Sequence, residues 1–525
     1  MKNTRIIAFL LMLCMLLAFA ACESKVNDDD ENASKESQVE TSNDGIGSIF
    51  DDLFGDDSSD ASGDASGDAS GDASGDDSSD VSDVTDEDVF MSLGDAPNGV
   101  GDTKKEFTML IVSNELQTTY YCDDVVPNLY KETDADFDNA VSDRNKAILE
   151  KYNVEIMAYP AESILTPLRN DVISGMGEFD AVMMFAYEGA MLGTEGCLYD
   201  LSNFLELDEA WWDQSANEAL SFAGHQYFAI GDISTMPKKV TSAMFFNKTV
   251  MSKHFPDFDI YSCVRDSNWT IDKMIEMSIA VTADTDGVGG LTKDDTWGTV
   301  GSYNDSALLF TAAGGSLFAK DSDDIPRLST SDLEMADTII EKILGDKQWM
   351  IMAQDIGGYD MWTDSLEIFT SDRALFRISA MVSTDIIREY DCDYGIVPLP
   401  KLDINQEDYC SAVSGGYANC VGIPVSAKDP TFSAFVLNAM GCAAQHYITP
   451  AYYERISAGL DEDTYEMLDI VFGSARYDIN DVYRFAGFSP FFNSFMDKKN
   501  TFRSDLEAVA PMIDDTIDEY VELLG

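Results

Sequence analysis

The stretch FDAVMMFA, residues 179–186, is a continuous apolar run with the length of one β-strand. Two similar runs precede it in the chain, FTMLIV at 107–112 and VEIMAY at 154–159. Apolar residues between the runs recur at helical spacing, first over 137–152 and then over 163–175. Strand, helix, strand, helix and strand in this order predict an α/β fold with a parallel, doubly wound sheet.

The turn after Ala186 is the first candidate binding site. Sheets of this kind bind ligands at the carboxyl ends of their strands, and Tyr187 and Glu188 follow such an end. A carboxylate accepts hydrogen bonds from neighbouring hydroxyls, and a tyrosine offers an aromatic face and a hydroxyl. A solvated turn is the alternative interpretation.

The rest of the chain contains further strands and helices. About 420 residues follow residue 103, which is too long for one hydrophobic core and predicts two lobes. We expect strands at 241–248, 373–379 and 394–400. We expect helices after the capping residue Thr270 and over 307–315, 333–344, 431–445, 462–472 and 502–524.

The N-terminus has the pattern of a signal peptide. Lys2 and Arg5 precede an uncharged run that is too short to span a bilayer comfortably. Small residues lead into Cys22, which resembles a bacterial lipobox whose cysteine is diacylated and becomes the mature N-terminus. We therefore expect residues 1–21 to be removed and Cys22 to anchor the protein at the extracellular face of the cell membrane. An ordinary secretory signal with an incidental cysteine is the alternative.

Residues 22–103 have the composition of a disordered tether. They contain 25 acidic residues against Lys25 and Lys35, and the unit ASGD occurs four times over 61–76. Such a segment buries too little apolar surface to offset the entropy of ordering its chain. The folded domain is therefore expected at 104–525.

The folded domain is strongly acidic. Without the tether's charged residues and the two bases of the signal peptide, the totals of 96 acidic and 33 basic residues fall to 71 and 29. A surface of this charge repels nucleic acid and anionic lipid and favours neutral or cationic ligands.

Few residues of the domain suit metal or redox chemistry. The three histidines are far apart in sequence, which gives little support to a zinc site or a Ser-His-Asp triad. No cysteine pair has CxxC spacing, and Cys410 and Cys420 are plausible disulfide partners, with buried thiols as the alternative. We predict no cofactor.

Several segments, taken in order, resemble a known family. They are FAIGDIS (228–234), FFNKTVMSK (245–253), NWTIDKMIEMSIAVT (268–282), RALFRIS (373–379), YGIVPLPKLD (394–403) and GIPVSAKDPTFSAFVLNAM (422–440). The chain is similar in these segments to the extracellular solute-binding proteins of ABC transporters, in the cluster that contains maltose-binding protein.

The resemblance implies a two-lobed, type 2 periplasmic-binding-protein-like fold. One lobe would hold about 106–233 and 401–445, and the other about 241–393 and 446–525. Hinge strands would lie near 234–239, 394–400 and 446–450.

The resemblance also implies a function. A small solute, expected to be a sugar or oligosaccharide, would be captured between the lobes of a monomer and delivered to the permease of an ABC importer, without catalysis. A secreted glycan-degrading enzyme, or a sensor or adhesin ectodomain on the same fold, stays open as an alternative.

The sequence contains further candidate ligand contacts. They are Asp232, Tyr303, Asn304, Trp362, Arg377, Ser379, Gly415 and Tyr417, in addition to Tyr187 and Glu188. Among these eight, the resemblance implies Tyr303, Asn304, Arg377 and Ser379. Asp232 ends a strand near the first crossing, Trp362 offers an aromatic face to a sugar, and the turn at Gly415 and Tyr417 allows close backbone approach to a ligand. Several have a structural alternative: a hinge lock for Asp232, a helix cap near Asn304, an ion pair for Arg377 and a plain loop for Gly415.

A last candidate is an acidic loop, DTDGVGGLTKDDTWG at 284–298. Calcium requires oxygen ligands at alternating positions, and Asp284, Asp286, Asp294 and Asp295 are candidates. The loop is not an EF-hand, because its twelfth position is Asp295 and not glutamate.

Overall fold

The computed structural model describes residues 89–112, 124–127, 135–302, 305–345, 347–352, 356, 358–360, 363–485, 491, 494 and 498–524. The predicted signal peptide and Cys22 lie outside these residues, as do Tyr303, Asn304 and Trp362. Within the described ranges, the helices are too short or too polar to cross a membrane.

The described strands are β1 (Lys105–Val112), β2 (Val154–Ala161), β3 (Ala181–Phe185), β4 (Ser242–Asn247), β5 (Trp297–Val300), β6 (Phe318–Lys320), β7 (Pro326–Leu328), β8 (Met350–Ile351), β9 (Ala374–Ala380), β10 (Tyr394–Val397), β11 (Ser411–Ala412), β12 (Asn419–Gly422) and β13 (Ala475–Arg476).

The described helices are α1 (Ala135–Tyr152), α2 (Leu165–Ser174), α3 (Ala186–Thr194), α4 (Gln214–Leu220), α5 (Met236–Lys239), α6 (Lys248–His254), α7 (Ile260–Arg265), α8 (Ile271–Val281), α9 (Asp305–Ala312), α10 (Leu333–Ile343), α11 (Thr363–Thr370), α12 (Ser383–Ile387), α13 (Pro430–Ser457), α14 (Asp463–Gly473), α15 (Ile479–Tyr483) and α16 (Phe502–Leu524).

The first lobe is built on a four-stranded sheet with the order β12-β3-β1-β2. β1 pairs in parallel with both β2 and β3, as the apolar runs predict. β12 returns from far along the chain and pairs antiparallel with β3. The helix α2 ends at Gly175, whose φ of 64° is a left-handed conformation that glycine adopts without strain.

The second lobe is built on a five-stranded sheet with the order β10-β4-β9-β5-β8. β5, β8 and β9 run in parallel, whereas β4 and β10 are antiparallel to their neighbours. The helix α8 begins after Thr270, whose side chain accepts a hydrogen bond from the backbone N–H of Lys273, as predicted for this cap.

All three hinge segments differ from the expected strands. In the first, 234–239, residues 236–239 form the short helix α5. Residues 446–450 lie inside α13, which continues through Pro450 to Ser457, so this crossing is helical. The predicted strand at 394–400 is β10, which belongs to the second sheet and not to a hinge. α13 is buried along much of its length in both lobes, and this packing outweighs the loss of one backbone hydrogen bond at its proline.

Folded structure begins before the predicted boundary at residue 104. Val89 and Phe90 are buried, and the Phe90 ring meets the Tyr152 ring edge-on with centroids 5.2 Å apart. The Val89 carbonyl accepts a hydrogen bond from the Cys442 thiol at 3.2 Å. The sequence analysis missed this short apolar segment because the residues before it are strongly acidic.

The C-terminal segment contacts both lobes. α14 packs on β10 of the second sheet, whereas α15 packs on α3 and α4 of the first lobe. One continuous apolar cluster joins the lobes and includes Phe228, Met244 and Phe485. The assignment of all residues after 445 to the second lobe was therefore too simple.

The two cysteines considered as disulfide partners are not bridged. Cys410 and Cys420 are both buried free thiols.

Candidate functional site

The carboxyl ends of the parallel strands locate the candidate site. In the first lobe, β3 ends at Phe185 and α3 begins at once with Ala186. In the second lobe, β5 and β9 end at Val300 and Ala380. Loops at such edges carry the ligand contacts of open α/β sheets.

Glu188 lies in the first turn of α3 and is buried, with 5% of its surface exposed. Its carboxylate accepts a hydrogen bond from the backbone N–H of Phe185 at 3.1 Å and so caps its own helix. Burial raises the pKa of Glu188 to about 7, although this hydrogen bond and the charges of Arg169 and Arg484 oppose the shift. The predicted residue is therefore a structural cap as well as a candidate contact.

Tyr187 is the centre of an aromatic cluster. Its ring stacks on Phe185 at 5.9 Å and meets the edge of Tyr417 at 6.5 Å, measured between centroids. Tyr417 ends a 3₁₀ turn, Gly415–Tyr417, that leads into β12. The structure thus brings together four of the predicted residues, Tyr187, Glu188, Gly415 and Tyr417.

The C-terminal segment completes this cluster with residues that the sequence did not reveal. Arg484 follows α15, and its guanidinium carbon lies 4.0 Å from the centroid of the Tyr187 ring. Asp478 and Asp481 are half-buried, and Asp481 lies close enough to Asp478 and Arg484 to feel the charge of each. Burial and the Asp478 carboxylate raise the pKa of Asp481 to about 7, against the effects of Arg484 and the backbone N–H of Gly415.

A second polar group lies near the carboxyl end of β9, the middle strand of the second sheet. Arg377 of β9 is buried and donates hydrogen bonds to Ser365 at 3.3 Å and to Ser383 at 3.1 Å. Ser379, two residues further along β9, lies 2.6 Å from Ser383 between their hydroxyl oxygens. The two predicted residues are therefore joined through Ser383.

Asp305 belongs to this second group and was not predicted. Its carboxylate accepts hydrogen bonds from the backbone N–H and the hydroxyl of Ser302 at 3.0 and 2.9 Å. Burial raises the pKa of Asp305 to about 7, while these bonds and the Arg377 charge oppose the rise.

Asp232 lies at the hinge. Its carboxylate is 2.7 Å from the Lys238 ammonium and accepts hydrogen bonds from Gln445 and Thr449 of α13 at 3.0 and 3.3 Å. These contacts connect two crossing segments, which is the geometry of the hinge lock considered as the alternative role.

A cavity of about 160 Å³ lies beside Asp232. Trp211, Trp212, Lys238 and Tyr477 are among its lining residues. Ligand sites usually have volumes of about 300–1,000 Å³, so this cavity is small for a saccharide site.

The acidic loop brings three of its four candidates together. One ligand oxygen from each of Asp284, Asp286 and Asp295 lies within 4.8 Å of the others. The Asp295 carboxylate already accepts hydrogen bonds from the backbone N–H groups of Thr285, Asp286 and Thr292 at 2.6, 2.9 and 2.8 Å. Calcium binding here stays a prediction.

Two α/β lobes, joined by crossing segments and carrying polar and aromatic side chains at their strand ends, define a type 2 periplasmic-binding-protein-like fold. The chain belongs to the bacterial extracellular solute-binding protein family, whose model matches residues 143–448. No curated protein sequence matches the chain.

Solved structures support the fold. An extracellular solute-binding protein from Staphylococcus aureus, in complex with maltose, is similar over 82% of this chain and 98% of its own, with 11% identity and a TM-score of 0.51. The galacto-N-biose-/lacto-N-biose I-binding protein of an ABC transporter from Bifidobacterium longum, in complex with lacto-N-biose, covers 80% of this chain and 98% of its own, also with 11% identity and a TM-score of 0.51. Identity at this level shows the fold alone.

Proposed function

We propose that this protein is a lipid-anchored receptor that captures a saccharide between its two lobes and delivers it to an ABC importer. The observation that carries the proposal is the cluster of Tyr187, Tyr417, Asp481 and Arg484, which joins the first lobe to the C-terminal segment at a strand end. An aromatic face beside hydrogen-bonding groups suits the alternating C–H and hydroxyl surfaces of a sugar.

The mechanism needs binding and closure but no covalent step. A solute that contacts this cluster on the first lobe together with side chains of the second lobe stabilises the state in which the lobes are together. Its release would follow when the importer binds the closed receptor and favours the open state. The family and the sugar complexes of two similar structures support a binding role.

The binding proposal is tested with the chain from Glu23 to Gly525 by isothermal titration against mono-, di- and trisaccharides. We expect one saccharide to bind with 1:1 stoichiometry and to reduce the radius of gyration measured by X-ray scattering. Tyr187→Ala should weaken this binding at least tenfold, because the cluster loses its central ring. Binding of a peptide or polyamine in place of every sugar would contradict the proposal, and so would hydrolysis of a glycan by the purified chain.

The anchor is proposed separately, on the sequence alone. Cys22 would carry the lipid, and the following residues up to 88 would hold the folded domain away from the anionic envelope. Cells that express the chain should incorporate a labelled fatty acid into it, and Cys22→Ser should abolish the label and release the protein. An unlabelled chain that is nevertheless secreted would indicate the ordinary signal peptide.

A further inference from the structure

Arg484 is held in an unusual position at the candidate site. Its φ is 50°, a left-handed conformation that residues other than glycine rarely adopt. Its backbone N–H donates a hydrogen bond to the Asn480 carbonyl at 2.8 Å, which fixes the residue at the end of α15. The guanidinium lies over the Tyr187 ring, and the side chain is exposed.

The contact with Tyr187 is made over the aromatic ring, and no described residue accepts a hydrogen bond from the Arg484 guanidinium. A guanidinium has five N–H donors, all in its plane. Among the residues that the structure describes, no carboxylate pairs with Arg484, whereas Arg169, Arg265 and Arg455 each pair with one. Arg484 therefore has donors to spare.

The acidic groups around Arg484 are used elsewhere. Asp478 accepts the backbone N–H of Asn480 at 2.8 Å, Glu188 accepts that of Phe185, and Asp481 accepts that of Gly415. Glu188 and Asp481 are also partly protonated at neutral pH, because burial raises the pKa of each to about 7. Protonation reduces the repulsion that these two carboxylates would exert on a bound anion.

We propose that Arg484 determines the specificity of the receptor by pairing with a carboxylate of the solute, so that the receptor prefers acidic saccharides such as uronate-containing oligosaccharides. This inference rests on the proposed function. The planar fork of an arginine matches the two oxygens of a carboxylate, and Tyr187 holds that fork in place. In a domain with 71 acidic and 29 basic residues, an acidic solute requires such a local cation.

The test compares acidic saccharides with neutral ones of the same linkage. Isothermal titration of the chain from Glu23 to Gly525 uses di- and trisaccharides of galacturonate and glucuronate, each beside its galactose or glucose equivalent. We expect at least one acidic saccharide to bind about tenfold or more tightly than its neutral match. The preference should increase between pH 8 and pH 6, as Glu188 and Asp481 take up protons.

Three variants separate recognition from general charge. Arg484→Gln should weaken binding of the acidic saccharide by about 10–100-fold and that of its neutral match by less than about threefold. Arg484→Lys, which keeps the charge but loses the fork, should be intermediate. Arg476→Gln is the matched control, because it removes an exposed arginine from β13 and changes the net charge by the same amount.

The outcomes distinguish this inference from the function on which it rests. If neutral saccharides bind more tightly, or Arg484→Gln and Arg476→Gln weaken binding equally, the specificity proposal is wrong and the saccharide receptor stands. If no saccharide of either kind binds, both are wrong. Thermal unfolding of each variant verifies that it is folded.

Discussion

Glu188 shows how one buried carboxylate makes stability depend on pH. Its pKa is about 7 in the folded protein and 4.5 when unperturbed, so the folded state holds a proton more tightly over this interval. The Glu188 proton therefore contributes most to the stability of the folded state below pH 4.5, and this contribution to the free energy of unfolding is lost as the pH rises to about 7. The loss is about 3 kcal/mol at most, from the shift alone.

The variant Glu188→Gln removes this dependence. The amide oxygen still accepts the Phe185 N–H but carries no charge to desolvate. At pH 8 we expect the variant to unfold at a higher temperature than the parent, with the difference shrinking towards zero by pH 5. Thermal scans of both proteins from pH 5 to pH 8 measure it, and a difference that stays constant with pH would contradict it. The groups that face Glu188 are Arg169, Arg484 and Cys420.

Gly231 is required by a close approach of two backbones at the first crossing. A Cβ here would lie 2.3 Å from the Trp211 carbonyl oxygen and 2.8 Å from the Trp212 ring. Gly231→Ala should therefore destabilise the protein by about 1–3 kcal/mol. Chemical denaturation measures the change. Gly473→Ala is the matched control, because a Cβ there meets nothing within 4 Å, and it should change stability little.

At the scale of elements, the hairpin of β6 and β7 connects the second lobe directly to the first. Asp324 in its turn accepts hydrogen bonds from Ser221 and from the backbone N–H of Gly224, both at 3.1 Å. Lys320 pairs with Asp324 at 3.0 Å and donates to the Glu218 carbonyl at 2.6 Å. These contacts lie outside the crossing segments, so they add a further connection between the lobes.

Asp324→Asn should weaken this connection. Asparagine tolerates the positive φ of 60° at this position, so the change removes the charge without straining the turn. We expect faster hydrogen exchange of the amides around Gly224 and a loss of about 1 kcal/mol. Mass spectrometry of peptides from this segment measures the exchange. Asp323→Asn, on the exposed neighbour, should leave it unchanged, and equal effects of both variants would show that the hairpin does not hold the lobe.

Sequence patterns predicted the elements better than their connections. Continuous apolar runs gave β1, β2 and β3. β1 and β3 are buried over most of their length, as such runs predict, whereas β2 is the partly exposed edge strand of its sheet. The extension of α13 through Pro450 was missed, since it depends on packing in both lobes.

Arg484 of the candidate site was missed for a similar reason. Its contact with Tyr187 joins distant segments of the chain, and α15 is too short to show periodicity. Asp478 before the apolar residues of α15 was the one local signal of a helix start.

At the scale of the whole molecule, net charge opposes compactness. The chain carries a formal charge of −63, and its folded part has more than twice as many acidic as basic residues. Charges of one sign on a compact protein repel one another. Salt screens this repulsion, and the distance over which charges still interact falls from about 30 Å at 0.01 M to about 10 Å at 0.1 M. Salt also weakens the surface ion pairs, but exposed pairs contribute only about 0–1 kcal/mol each. We therefore expect the screening of repulsion between like charges to affect stability more than the weakening of ion pairs does.

It follows that the unfolding temperature should rise as sodium chloride increases from 0.01 to 0.3 M at pH 8. The rise should be smaller at pH 4.5, because many carboxylates then carry a proton and less repulsion is left to screen. Differential scanning calorimetry of the chain from Glu23 to Gly525 at both pH values measures the two slopes. A neutral osmolyte at equal osmolality serves as the control, since it stabilises proteins by exclusion from their surface without screening charge. A fall in unfolding temperature with salt at pH 8 would mean that specific ion pairs, such as those of Arg265 with Asp463 and Glu466, outweigh the general repulsion.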